Sequence, residues 1–196
     1  MGKRESQKNA DSIFITGIVI CVIMLLSYTA TTHSAEVEFF TPEIRETPTG
    51  LLYHSSTLGG YRFTIASKWR DSTNQSALDK LNIIVFLRDS DQTQSLTLTL
   101  GVTPESEKGK PIDVKNRVEK SLIKKGIKHE IVSSKIYKIG DRDVEEVDVS
   151  LGNNRMMYVI GSFCGHLTMT GNLGYKANDP STKQDLVGVF KTFQID

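Results

Sequence analysis

Cys164 and His166 stand two residues apart in the run SFCGHL. A thiol beside an imidazole is the smallest pair that could support nucleophilic catalysis. On one unbroken strand the two would share a face, but Gly165 between them is a turn residue and no third orienting group is evident. A turn cysteine and a surface histidine is the plainer reading. GSFCG is not a nucleophile elbow either, because Phe163 holds its central position. Cys164 and His166 could instead join Trp69 in lining a pocket for a small ligand.

The acidic run Asp141, Asp143, Glu145, Glu146 and Asp148 begins like a calcium loop. Its sixth position is Glu146 where glycine is needed, and its twelfth is Gly152 where a bidentate glutamate is needed, so a solvated hairpin is favoured. Gly109-Lys110 lacks the upstream glycine and the following hydroxyl residue of a phosphate loop. His33, His54, His129 and His166 show no metal-ligand spacing, and neither a metal nor a cofactor is expected.

The largest polar feature is a row of bases, Lys115, Arg117, Lys120, Lys124 and Lys125, opposite the apolar stripe Val114, Val118 and Leu122 with Ile123 beside it. Such a face could rest on anionic lipid headgroups or on an acidic partner protein; the plain alternative is an ordinary solvated face. Net charge argues against nucleic acid. Lys3, Arg4, Lys8, Glu5 and Asp11 account for the overall +1, and the remainder carries 21 bases and 21 acids, without the excess that phosphate binding needs. Asn74-Gln75-Ser76 is a glycosylation sequon, relevant only in a eukaryotic secretory host.

Residues 12–35 contain no Lys, Arg, Asp or Glu, and Ile13 to Leu26 is almost wholly apolar. A basic leader before an apolar core is an export signal; extended through residue 30 it approaches the length that spans a bilayer. Cleavage after Ala35 would put His33 where a small residue is wanted, which favours a retained anchor over a cleaved signal. Bases before the span and Glu36, Glu38 and Glu43 after it place the rest of the chain on the non-cytoplasmic side. Cys21 lacks the small residues of a lipoprotein box, and Lys3 fits a myristoylation signal poorly. Residues 36–60, punctuated by proline and glycine, read as a linker to a domain at 61–196.

Within that domain, Tyr61, Phe63 and Ile65 alternate ahead of Trp69, as in a strand. A helical turn is expected at 76–81, a buried strand at 83–87, and a strand at 96–102, where Leu96, Leu98, Leu100 and Val102 alternate with Thr97 and Thr99. A helix follows at 111–125, opened by Pro111 and closed by Gly126. Four strands fill 130–173, reversing at Gly140-Asp141, Gly152-Asn153-Asn154 and Cys164-Gly165. A closing helix with Asp179 as N-cap carries Leu186, Phe190 and Phe193 inward. The economical fold is α+β: a mostly antiparallel sheet with helices packed on its faces, an α/β/α sandwich preceded by the N-terminal signal or transmembrane helix.

The opening GYRFTIASKW, the mid-chain helix, the MMYVIGSFCGHLTMTGNL strand pair and the ending VFKTFQI resemble the PsbP-like α/β/α sandwich over roughly Gly60 to Asp196. That group includes the extrinsic protein of photosystem II, a Ran-binding nuclear-import release factor and bacterial envelope lipoproteins. The resemblance implies a binding or assembly module and no enzymatic activity. The metal-site histidines and Ran-binding acids of particular members have no counterparts that can be placed in this sequence. The leading expectation is therefore a membrane-tethered extracytoplasmic domain that contacts a partner protein or a membrane surface. The alternative is a small-ligand or metal-binding envelope protein with a pocket between sheet and helix; an enzyme built on Cys164 or the acidic run ranks third.

Overall fold

The computed structural model describes residues 43–72, 83–88 and 91–196. The apolar N-terminal run, Cys21 and the helical turn expected at 76–81 lie outside the described residues. Among the described residues no helix is long and apolar enough to cross a membrane.

Two antiparallel sheets form. The larger has seven strands in the order β4-β5-β6-β10-β9-β8-β7, from β4 (Trp69–Asp71), β5 (Ile83–Arg88), β6 (Asp91–Val102), β7 (Glu130–Ile139), β8 (Arg142–Ser150), β9 (Arg155–Cys164) and β10 (Leu167–Lys176). The smaller is β1-β2-β3-β11, from β1 (Glu43–Thr47), β2 (Gly50–Ser55), β3 (Tyr61–Ile65) and β11 (Gln194–Ile195). The last four strands of the large sheet are the meander expected from the turn residues. The linker expectation is corrected over residues 43–55, which form a hairpin paired from Glu43–His54 to Thr47–Gly50. Gly50 permits its turn: φ is +143°, and a Cβ there would lie 2.2 Å from the carbonyl oxygen of Ile65.

Side-chain alternation on β9 divides the core. Tyr158 and Ile160 join Leu173, Tyr53, Phe63 and Phe190 in one cluster, whereas Met157 and Val159 join Val147, Val149, Val118 and Leu122 in another. One face of the large sheet therefore meets helix α1 (Val114–Lys124), and the other meets α2 (Thr182–Thr192) together with the small sheet. Tyr53 stacks on Phe63 at 4.9 Å between ring centroids, and Phe86 approaches Phe63 edge-on at 6.3 Å. Two glycines bring the helices close. A Cβ on Gly161 would stand 2.6 Å from Val114 Cγ2, and one on Gly171 would stand 2.5 Å from Leu186 Cδ1.

Both helices begin later than their prolines suggest. Asp113 caps α1 by accepting the Asn116 backbone N–H at 3.2 Å, leaving Pro111 outside the helix. Asp179 does not cap α2; it accepts from Ser181, Arg88 and Gln94, and Ser181 takes the N-cap position. Gly126 ends α1 as expected, with φ +66° and the Ile127 N–H returning to the Leu122 carbonyl at 3.0 Å. Val102, at the end of the period-2 run, and Ile123, beside the apolar stripe of α1, are 63% and 64% exposed. Strand β7 closes one edge of the large sheet, and its register slips between Ile131 and Ser133.

Candidate functional site

The basic helix is seated by a buried acid. Glu145, 5% exposed, points from β8 toward α1, where its Oε2 accepts the Val114 backbone N–H at 2.5 Å. Its Oε1 accepts from Ser134 Oγ at 3.3 Å and lies 3.4 Å from the Lys115 nitrogen. A carboxylate at the start of a helix satisfies free N–H groups and complements the positive end of the dipole. Gly161 lies opposite Glu145 in the ladder, and its missing side chain admits Val114 and Ile112 to that contact. The outer face of α1 then presents Lys115, Lys120 and Lys124 to solvent, with Lys125 half-buried. Arg117 is engaged: its Nη2 lies 2.7 Å from Glu107 Oε2.

The three pocket candidates are not brought together as one site. Trp69 is wholly buried, and its indole N–H donates to Asp185 Oδ2 at 3.0 Å, clamping β4 to α2. His166 Nε2 lies 3.0 Å from the Leu58 carbonyl oxygen, tying the β9–β10 turn to the segment before β3. Cys164 and His166 flank Gly165 at φ +58°, so they sit on a reversal and not on one strand face. Cys164 is buried, and Arg142 Nη1 donates to its sulfur at 3.1 Å while Nη2 donates to the Phe190 carbonyl at 2.7 Å. Burial pushes the thiol's pKa up and Arg142 opposes this only in part, so the sulfur is held as a thiol. It lines an open cleft of about 350 Å³ with Ile139, Arg142, Lys191, Phe193 and Ile195.

The acidic run is strand, and alternation separates its members. Glu145 serves α1, whereas Glu146 and Asp148 face the opposite side of the sheet. Tyr158 OH donates to Glu146 Oε2 at 2.7 Å. Asp148 accepts from Tyr175 OH at 2.9 Å and from Ser133 Oγ at 3.1 Å, and Lys183 Nζ lies 2.7 Å from both of its oxygens. The same ammonium stands over the rings of Tyr158 and Tyr175 at 5.4 and 5.1 Å. Burial, then Glu146, pushes the Tyr137 hydroxyl up to about 12. Tyr158 and Tyr175 are also pushed up, by burial first and then by their carboxylate partners. Among the described residues no three His, Cys, Asp or Glu side chains converge as metal ligands.

No family model and no curated protein matches the chain by sequence. Structural comparison does find similar folds. The solution structure of cyanobacterial PsbP (CyanoP) from Synechocystis sp. PCC 6803 superposes with a TM-score of 0.53 at 14% identity, over 85% of this chain and 99% of that one. The chain has the PsbP-like fold. The Ran-binding protein Mog1p of Saccharomyces cerevisiae matches at a TM-score of 0.49 and 14% identity, over 79% of this chain and 95% of that one.

Two polar assemblies of this PsbP-like domain were missed from sequence. Glu145 and the start of α1 are 31 residues apart, and Asp148 and Lys183 are 35 apart. No local spacing announces either. The one available signal was an acid at a strand position, which is costly unless a partner lies across the fold.

Proposed function

We propose that this PsbP-like domain is a non-catalytic binding or assembly module, held on the non-cytoplasmic side of a membrane by residues 13–30. It offers the outer face of α1 to a partner protein or a membrane surface. One observation carries the reading: the buried carboxylates Glu145 and Asp148 are matched within the fold, and one of them seats a helix that turns Lys115, Lys120 and Lys124 outward. Asp148 and Glu145 are spent on Lys183, Tyr175 and the α1 backbone, so they have a structural role. The tether and its orientation rest on the sequence alone.

The test is affinity capture from solubilised membranes, comparing the unaltered full chain with Lys120→Glu/Lys124→Glu. A binding module loses its partners in the charge-reversed form while keeping its fold; unchanged recovery sinks the assignment of α1 as the contact surface.

The cleft beside Cys164 supports a second reading, a site for a small organic anion with an apolar part. Arg142 and Lys191 supply positive charge against the single acid Asp141, and Ile139, Phe193 and Ile195 the apolar wall. Saturable thermal stabilisation by such anions, lost in Lys191→Ala, would favour it; no response across a panel of them would remove it.

A further inference from the structure

We infer that the α1 face is built for the surface of an anionic lipid bilayer, with Ile123 as an apolar tooth among lysines; this rests on the binding-module reading above. Val114, Val118 and Leu122 are buried against the sheet, which turns Asn116, Lys120 and Ile123 outward. Ile123 is 64% exposed; Lys120, three residues before it, is its exposed neighbour on the helix surface, with the half-buried Glu119 four before and Lys124 next along the chain. Beyond the Gly126 cap, Lys128 is exposed as well.

Charge points the same way. From Asp113 to Lys128 there are six bases and two acids, in a chain whose net charge is +1. Asp113 is occupied in capping Asn116 through its backbone and side-chain nitrogens at 3.2 and 3.1 Å. Lys124 and Lys125 make further contacts of their own, so the inference leans on Lys120, Lys128 and Ile123. A lysine near the helix C-terminus also suits the helix dipole, and that alone would explain Lys124. It does not explain an isoleucine projecting into solvent among the lysines. A bilayer interface meets both needs, since phosphates take the ammonium groups and the acyl boundary takes the aliphatic side chain. An acidic protein would satisfy the lysines without requiring an isolated aliphatic tip. The proposed tether at 13–30 would keep the domain within reach of such a surface.

The experiment follows the reactivity of a thiol at the tooth. Full-length Ile123→Cys, in a Cys21→Ser background, is reconstituted in phosphatidylcholine vesicles with or without about one-third phosphatidylglycerol, and treated with an uncharged, membrane-impermeant maleimide. Cys164 is buried, and the Cys21→Ser chain with Ile123 intact gives its background rate. Modification at position 123 is expected to slow about tenfold on the anionic vesicles and to recover in Lys120→Glu/Lys128→Glu or in high salt. A thiol at Val102, equally exposed but on β6 and not on α1, should react at the same rate on both lipids. Equal rates at 123 on both vesicles, or slowing at 102 as well, overturns the proposal. Protection at 123 that requires an acidic protein from the capture experiment also overturns the lipid assignment, yet leaves the binding module standing. Failure of both experiments removes both readings.

Discussion

Lys183 sets its ammonium 2.7 Å from both carboxylate oxygens of Asp148, joining the first turn of α2 to the middle of β8. Asp148 is 9% exposed and keeps only neutral hydroxyl donors, Tyr175 and Ser133, among its remaining partners. Lys183→Met should therefore destabilise the fold by about 3 kcal/mol, because a buried carboxylate loses its counter-charge. Denaturant unfolding measures this. In Lys183→Met/Asp148→Leu much of the loss should return, and a double variant no better than the single would show that packing of the lysine stem dominates.

Gly161 sets the distance between α1 and the sheet. A methyl there would meet Val114 Cγ2 at 2.6 Å and Ile112 Cδ1 at 3.0 Å, so Gly161→Ala should cost about 1–3 kcal/mol by overpacking. Gly101, in β6, has nothing within 4 Å of the same position, and Gly101→Ala is the control expected to leave the denaturation midpoint nearly unchanged.

Acid should loosen the link between β5 and the approach to α2. The Ser181 hydroxyl, and then Arg88 and Gln94, hold Asp179 down from 3.8 to about 2. A depressed carboxyl contributes stability above its unfolded pKa and loses it as pH falls through the folded one. The contribution should therefore fade between about pH 3.8 and pH 2. Asp179→Asn should flatten the stability profile in that window; an unaltered profile would count against the contact.

Alkali should act on the opposite side of the large sheet from α1. Tyr137 is raised from 10.0 to about 12, so its stabilising effect is complete below 10.0 and is lost as pH climbs toward 12. Ultraviolet titration should show tyrosinate formation delayed relative to the unfolded chain, and Glu146→Gln should bring the Tyr137 transition down, since Glu146 both opposes its ionisation and accepts its hydrogen bond.

Much of the architecture was legible because it is local. Turn residues bounded the four-strand meander, and a four-residue apolar period with Gly126 marked α1. The hairpin at 43–55 was hidden because the first four residues of β1 are exposed and show no period; pairing with β2 holds the strand in place, not burial. Asp179 beside Pro180 has the composition of a cap, yet Arg88 and Gln94, distant in sequence, claim its carboxylate. The basic face could be read from helical spacing. What seats it, a carboxylate on a strand 31 residues away, could not.

Strand β7 offers ten residues of open backbone at the sheet margin, with Val132 and Ile136 more than half exposed. Left straight and uncharged, such a border would invite copies crowded on one surface to zip together into fibrils. The slipped register beside Val132 and the exposed Lys135 and Lys138 spoil that template. Local density of the domain can therefore rise without turning neighbouring copies into an aggregate.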